Sequence, residues 1–336
     1  MIRENGVTLH FRLGFMLIMA ACAGTASAQS ATHDADLVAE REAIERFQAI
    51  DQRLQDIGWR LATGNAAFCP DVAPAIGLQL HDLASYGEPD IARAALDLTG
   101  YFAVQTAAAN SPAGAVSSLS QNREIIGLNG VNPNSWPAEE KYHWQRLVLA
   151  HDFIDRALAE TGELAVRFAD GSGVTLTAKP ACATRFELSG SGRRAVADGK
   201  RVVIGVEFVG FTYAEDELAA AIAHELAHNL LGHRAWLDEF GRGRRNVRKT
   251  EREADRLMPW LLANAGYDPR AAQRFMTRWG PANDRGIFRA RTHDGWDERA
   301  EFIAAEIPVI EQLMAEAGMA DWGAHFRREI DPQAER

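Results

Sequence analysis

The 336-residue sequence has only three cysteines, no excess of positive charge and no long hydrophobic run. Its formal net charge of -10 argues against non-specific attraction to nucleic acid or anionic lipid, because both are negatively charged. We therefore expect no nucleic-acid partner. Hydrophobic residues make up 47% of the chain and charged residues 24%, which is typical of a globular protein rather than a disordered one.

The apolar run near the N-terminus is shorter than the roughly twenty residues that a bilayer span needs. It covers residues 13–23, follows basic residues and precedes Ala26-Ser27-Ala28, a small-x-small pattern of the kind that signal peptidase cleaves. We therefore expect residues 1–28 to be a cleaved signal peptide and the protein to be periplasmic or secreted. Two alternatives remain open. The run could anchor the chain in a membrane, or acylation at Cys22 could make the protein a peripherally attached lipoprotein.

Only Cys69 and Cys182 remain once residues 1–28 are removed. An oxidising compartment favours their pairing. They flank residues 74–181, and the two ends of a domain are often close in space. We therefore predict a disulfide between Cys69 and Cys182, with two buried free thiols as the alternative.

The segment at residues 34–68 is predicted to be helical. Apolar residues recur between residues 34 and 61 at spacings of three, four and seven, which is the pattern of an amphipathic helix. We expect this helix to lie across a later domain.

Residues 74–181 have the composition of a β-rich domain with one long helix, expected at about residues 138–160. Their order resembles a bacterial PDZ domain, in which a sequence like Ser111-Pro112-Ala113 opens a short helix; Asn122-Arg123 departs from the usual Gly-Asp of such domains. Short strands are predicted at 77–80, 101–105, 125–130, 164–168 and 174–177.

The resemblance implies a groove that takes an extended peptide as an added strand. The candidate peptide-binding edge consists of Gly77, Leu78, Gln79 and Leu80. The alternative is a PDZ-like spacer that binds no ligand.

The segment His224-Glu225-Leu226-Ala227-His228 has the form H-E-x-x-H. Within a helix, this spacing places two imidazoles one turn apart on one face with a carboxylate beside them, as in a zinc site with its own general base. A strand predicted at residues 201–209 precedes the helix, and Thr212 to Glu215 has the spacing of a capping box.

A hydrolytic zinc site needs three protein ligands and one open position, so a third ligand is expected from a following helix. Glu251 is the best candidate. Asp255 would lie on the same helix face, where it could hold a ligand imidazole. Glu253 remains a competing ligand on residue type alone.

Three segments together resemble the HtpX and BepA type of zinc endopeptidases, a gluzincin family that also contains the CAAX prenyl endoproteases. They are H-E-L-A-H, E-x-x-A-D-R-L from Glu251 and A-G-Y-D-P-x-A-A from Ala265, within about residues 197–299. The resemblance implies that His224, His228 and Glu251 bind one Zn²⁺ per chain and that Glu225 is the general base. It argues against Glu253 as a ligand.

The resemblance bears on three further residues. It implies that His233 is structural rather than a ligand; metzincins, the rival zinc class, are excluded because they require Gly and His where this chain has Leu231 and Arg234. The family often has Thr-His-Pro and a later Arg over the zinc. The resemblance thus implies that His293 approaches the metal or an oxyanion and that Arg299 supports the site, whereas the alternative for His293 is a surface-loop histidine.

The sequence thus predicts an α+β protein with a PDZ-like domain at 74–181 and a mainly helical zincin metallopeptidase domain with a small β-sheet at 183–330. The further helices are expected at about residues 250–265, with a kink or break at Pro259, and then at 270–279 and 298–317. Basic residues between 239 and 249 are interpreted as a solvated connector, or as a guide for acidic substrates.

These features predict an exported zinc endopeptidase that hydrolyses misfolded or envelope proteins. Protein or peptide substrates would pair with the strand at residues 201–209. The alternative is a peptide-binding or chaperone protein whose zinc site has little catalytic activity. The intact Glu225 favours the enzyme, because a structural zinc site does not need a base.

Overall fold

The computed structural model describes residues 16–138, 144–283 and 294–330, with only the backbone described for residues 16–33. The helices in these ranges are α1 (Met16–Gly64), α2 (Pro89–Ala95), α3 (Gln145–Thr161), α4 (Glu215–Leu230), α5 (His233–Phe240), α6 (Arg244–Asn264), α7 (Ala271–Asn283), α8 (Trp296–Ala317) and α9 (Trp322–His325). The strands are β1 (Val72–Ala75), β2 (Leu78–Asp82), β3 (Phe102–Ala107), β4 (Ile125–Leu128), β5 (Glu163–Phe168), β6 (Gly173–Thr177), β7 (Lys179–Cys182), β8 (Arg185–Ser189), β9 (Ala195–Ala197) and β10 (Arg201–Gly205). The mixed α+β class is confirmed.

Helix α1 includes the second half of the predicted signal peptide, while residues 1–15 lie outside the described residues. Cys22 falls where only the backbone is described. In the ranges described, no helix combines the length and the apolar character needed to cross a membrane.

The amphipathic helix predicted at residues 34–68 is confirmed as far as Gly64, as the C-terminal part of α1, whereas residues 65–68 form turns. Its apolar face contributes Leu54, Ile57 and Leu61 to the largest core of the molecule. Gly58 allows close packing at this face, because a Cβ atom there would lie 2.5 Å from the Phe186 ring on β8. Helix α1 is therefore an integral part of the fold rather than a separate arm.

The segment between residues 72 and 182 has a core of its own. The pairs β1–β7 and β2–β3 and the sheet β4-β5-β6 are all antiparallel. Helix α3 packs on them. The core is formed by Ile76, Leu78, Leu80, Phe102, Val104, Leu119, Ile125, Leu128, Ile154, Leu158, Leu164, Val166, Phe168 and Leu176.

One local expectation for this segment needs correction. Ser111 to Ala115 forms turns rather than a short helix, although the Ser111 Oγ accepts a hydrogen bond from the Gly114 N–H at 2.9 Å. The predicted peptide-binding edge stays a prediction. Leu78 and Leu80 bury their side chains, while Gly77, Leu78 and Gln79 line a cavity of about 1250 Å³ together with residues of α3. The Leu80 N–H lies 3.5 Å from the Nε2 of His151 on α3, which lines the same cavity.

Cys69 and Cys182 are joined as a disulfide, with their Cα atoms 5.5 Å apart. Cys69 follows α1, and Cys182 ends β7 opposite Val72 of β1. The bond thus closes the point where the chain enters and leaves the segment 72–182, as the sequence predicted.

The rest of the chain forms a mainly helical unit around a small sheet of order β8-β10-β9. Strand β10 is parallel to β8 and antiparallel to β9. Helices α4, α6, α7 and α8 pack together beside this sheet. Their shared core comprises Val202, Ile204, Leu218, Ile222, Leu226, Leu257, Leu261, Ile303 and Ile310, together with the α1 residues named above.

The segment that leads into α4 differs from the sequence prediction. Strand β10 ends at Gly205 rather than Val209, because the chain turns there and the Phe208 N–H donates to the Gly205 carbonyl. Thr212 does not cap α4, since its hydroxyl donates to the Val209 carbonyl. Instead, three acidic residues in the first turn, Glu215, Asp216 and Glu217, complement the positive end of the helix dipole.

Helix α6 is longer than predicted at its N-terminal end. The basic stretch expected to be a connector forms its first turns, so the connector after α5 is only residues 241–243. Arg248 and Arg252 on these turns pair with Asp294, which favours helix over solvated loop. The helix continues through Pro259 without a break, because Pro259 is buried in the core and packing there outweighs one lost hydrogen bond.

Candidate metal centre

Helix α4 presents two imidazoles on one face, and α6 packs against it with a carboxylate. The Nε2 atoms of His224 and His228 lie 3.2 Å apart. Each Nε2 lies 3.5 Å from an oxygen of Glu251. Among the residues that the structure describes, these three form the one His/Cys/Asp/Glu group that could hold a metal ion.

His224 is held from behind by two buried partners. Its Nδ1 lies 3.0 Å from the Oδ1 of Asp255, which is fully buried. Arg299 on α8 donates to both oxygens of Asp255, at 2.6 and 2.8 Å. This contact fixes the ring so that Nε2 faces Glu251, and it explains why Asp255 follows Glu251 by one helical turn.

His228 has a support of the same kind that the sequence did not predict. Its Nδ1 lies 2.9 Å from the Nδ1 of His233, whose Nε2 lies 3.0 Å from an oxygen of Glu253. Both His233 and Glu253 are buried. Glu253 is thus a partner of His233, and the three-residue group that could bind metal does not include it.

The motifs predict only one of the two supports. Asp255 follows Glu251 by one helical turn, and this spacing predicts it. Glu253 is two residues from Glu251, so it points to a different side of α6, and its partner Arg328 lies far along the chain. The sequence signal for Glu253 is a carboxylate four residues before Leu257, on the apolar face of the helix.

The electrostatics of the centre favour a bound cation. Burial lowers the pKa of His224, but hydrogen bonds to Asp255 and Glu251 outweigh it and raise that pKa to about 10. At His228, burial outweighs the charge of Glu251 and lowers the pKa to about 3. The carboxylates of Glu251 and Asp255 place negative charge beside the two imidazoles, which favours a bound cation.

Glu225 lies beside the three candidate ligands and lines the same cavity. Burial, together with the charge of Glu251, raises its pKa to about 7. The Ala197 N–H on β9 donates to its carboxylate and partly offsets this rise. A carboxylate with such a pKa is suited to accept and return a proton near neutral pH.

A cavity of about 880 Å³ opens over these residues. One wall is formed by β9 and by Phe208 and Val209, and the opposite wall by α5 and α6. Phe275 and Trp279 of α7 add an apolar end. The cavity is therefore a cleft of mixed polarity, which has an apolar end, several arginines in its walls and the candidate metal ligands in its lining.

Strand β9 is the edge strand beside this cleft. The sequence instead predicts that the strand at residues 201–209 pairs with the substrate backbone. Strand β10 is the central strand, paired on both sides, and has no free edge. In β9, the carbonyl of Arg194 and the N–H of Asp198 bond to β10, so the backbone groups of Ala195 and Ala197 point the other way.

The remaining predicted residues are placed as follows. Arg299 lines the cavity on α8, not on a loop, and reaches the centre through Asp255. His293 lies outside the described residues. Gly77 to Leu80 lie in the segment between residues 72 and 182, where Leu78 and Leu80 are part of the core, and they do not line this cleft.

Comparison of the chain with models of protein families, with curated proteins and with solved structures gave no match.

Proposed function

We propose that this protein is a zinc-dependent endopeptidase. The observation that carries the proposal is the convergence of His224, His228 and Glu251, with Glu225 in the same cleft. Zinc–nitrogen bonds of 2.0–2.1 Å in a tetrahedron separate neighbouring ligand atoms by about 3.3 Å. The observed separations of 3.2 and 3.5 Å fit that spacing.

The donor set also fits zinc chemically. Two imidazoles and one carboxylate are a ligand set of catalytic zinc sites, in which a fourth position stays open. The open position would face the cleft. A structural zinc site, by contrast, fills all four positions with protein ligands.

Bound zinc would acidify a water molecule and polarise the scissile carbonyl. Glu225 would take a proton from the attacking water as the new carbon–oxygen bond forms. It would then deliver that proton to the amine nitrogen as the peptide bond breaks. The Ala197 N–H holds the Glu225 carboxylate toward the cleft during both transfers.

The substrate is an extended peptide in this proposal. The N–H and carbonyl of Ala195 and the carbonyl of Ala197 would pair with it as with an added strand, while the Ala197 N–H stays bonded to Glu225. The apolar end of the cleft at Phe275 and Trp279 would take an apolar side chain. Unfolded proteins expose such extended apolar segments, which supports misfolded or envelope proteins as the substrate class.

The proposed location is the periplasm or the exterior of the cell. It rests on the signal-peptide pattern that ends at Ala28 and on the Cys69–Cys182 disulfide, since disulfides persist in oxidising compartments. The alternative is a peptide-binding or chaperone protein that uses the cavity between β2 and α3 and has little catalytic activity. Glu225 beside the three candidate ligands favours the enzyme, because a structural zinc site does not need a base.

The first prediction tests the proposed reaction. Glu225→Gln should retain one equivalent of zinc but cleave an unfolded protein such as casein at least about 10³-fold more slowly, because the proton acceptor is lost. Zinc content by elemental analysis and cleavage by gel or fluorescence would be measured on the same preparations.

Glu239→Gln is the matched control, because Glu239 is exposed on α5 and outside the cleft. It should cleave at the rate of the wild type. Equal activity of Glu225→Gln and the wild type would exclude the mechanism, and a wild type without zinc would exclude the metal site.

A further inference from the structure

A chain of contacts runs from the candidate ligand His228 to the C-terminal part of the described chain. His228 contacts His233, and His233 contacts Glu253. Arg328 donates to both oxygens of Glu253, with its shortest contact at 2.8 Å. The backbone N–H groups of Glu329 and Ile330 donate to Glu253 at 2.5 and 2.8 Å.

A metal ion bound by the Nε2 of His228 would fix the direction of these hydrogen bonds. If the Nε2 of His228 binds an ion, its Nδ1 must carry the proton and donate it to the Nδ1 of His233. His233 then has its own proton on Nε2 and donates to Glu253. Each donor meets one acceptor, so the arrangement is self-consistent for neutral imidazoles and an ionised carboxylate.

Glu253 needs strong partners because it is fully buried. The guanidinium of Arg328 and two backbone N–H groups supply them, and Arg328 also donates to the Leu231 carbonyl at the end of α4. The same C-terminal segment therefore holds the carboxylate and the helix end beside His228. An ionised buried carboxylate without these donors would be strongly disfavoured.

We propose that His233, Glu253 and Arg328 are positioning residues for the metal centre, through which the segment Arg328–Ile330 sets the affinity of His228 for the ion. This inference rests on the proposed metal site but not on peptidase activity. It gives His228 a support equivalent to the one that Asp255 and Arg299 give His224. These three residues lie outside the H-E-x-x-H motif, and none of them is a candidate ligand.

The test measures zinc affinity in the full-length chain. Glu253→Gln and Arg328→Gln should each raise the zinc dissociation constant about 10- to 100-fold in competition with a chromophoric chelator. Arg328→Lys should recover part of the loss, because a single ammonium replaces only some of the donors. The visible absorption of the Co²⁺-substituted protein should change in the first two variants, since it reports the geometry around the ion.

Arg270→Gln is the matched control. Arg270 also joins two parts of the mainly helical unit, through Glu311 on α8, and it contacts neither Glu253 nor the C-terminal segment. It should bind zinc within twofold of the wild type. Thermal unfolding of each variant in excess chelator would separate loss of stability from loss of affinity.

The outcomes distinguish the two proposals. A wild type that binds no zinc would exclude the proposed function itself. A wild type that binds zinc while Glu253→Gln and Arg328→Gln keep its affinity would exclude the positioning role, as would an equal loss in Arg270→Gln. If Glu253→Gln does not fold, Arg328→Gln decides the question, because the Arg328 side chain is 30% exposed.

Discussion

Glu251 and Glu253 are separated by one residue but contact different partners, because of the geometry of the helix. Successive residues on an α-helix are rotated by about 100°, so these carboxylates leave α6 in different directions. Glu251 faces the two Nε2 atoms of the H-E-x-x-H helix. Glu253 faces His233 and the C-terminal segment.

A second prediction follows for this pair. Glu251→Gln should lose zinc when the protein is passed through a desalting column, because a neutral amide is a poor ligand in place of a carboxylate. Glu253→Gln should keep a full equivalent under the same conditions, although with weakened affinity. Elemental analysis of both variants would check this, and the reverse result would make Glu253 the ligand.

His81 on β2 is the clearest pH-sensitive residue away from the metal centre. It is 3% exposed, and burial lowers its pKa from 6.5 to about 3. Since the unfolded chain takes up the proton first, stability from the neutral ring is present above pH 6.5. It is lost progressively as the pH falls from 6.5 toward 3.

The third prediction concerns this loss. Between pH 7 and pH 5, His81 should contribute a fall of about 2 kcal/mol in the free energy of unfolding. His81→Gln lacks the titrating group, so its stability should fall by that much less over the same interval. Urea unfolding of both proteins at the two pH values would measure the difference, and parallel pH dependences would contradict the assignment.

At the scale of elements, β9 is the short strand that decides how a peptide could enter the cleft. Its three residues expose alternate backbone groups, and its neighbour β10 is paired on both sides. Sequence favoured β10 because it has the longer β-branched run. Burial of a central strand produces that same pattern, so apolar character did not identify the free edge.

The fourth prediction uses this alternation. Ala195→Pro removes an N–H that faces the cleft and takes no part in the ladder to β10, so the strand should tolerate it. The value of kcat/KM for an unfolded protein should fall about tenfold, the equivalent of one hydrogen bond, while zinc content is unchanged. Ala195→Val keeps the N–H and should cleave normally; wild-type cleavage by Ala195→Pro would exclude pairing at this position.

The helices were largely predictable, and their ends were less so. The helices predicted at residues 34–68, 270–279 and 298–317 correspond to α1, α7 and α8. Helix α6 begins earlier than predicted, because Arg248 and Arg252 gain Asp294 as a partner only in the folded protein. Within the site, local spacing predicts the candidate ligands and Asp255, whereas the contact of Arg328 with Glu253 joins residues 75 apart.

At the scale of the whole molecule, the disulfide and α1 hold the two cores together. Cys69 and Cys182 are separated by 113 residues in sequence, and the bond restricts the conformations that the unfolded chain can adopt. Helix α1 packs on the sheet β8-β10-β9 of the mainly helical unit through Leu54 and Ile57. It also contacts β3 through Gln48, which lies 3.4 Å from Gln105.

The fifth prediction addresses the disulfide. Replacing both Cys69 and Cys182 by alanine should lower the free energy of unfolding by about 2–4 kcal/mol, because the unfolded chain regains conformational freedom. Zinc content should not change, since neither cysteine lines the metal cleft. Urea unfolding would measure the loss, and two free thiols in the non-reducing mass spectrum of exported wild type would contradict the bond.

The shared position of α1 bears on how the protein can be divided into fragments. A fragment that starts at residue 74 would lack Gln48 and Asp51, and would leave Gln105 and Asn122 without those partners. A fragment of residues 183–330 would instead remove Leu54, Ile57 and Leu61 from the core that they share with α4 and α6. Both cuts break contacts of α1, so a fragment that keeps the packing of either core has to include α1.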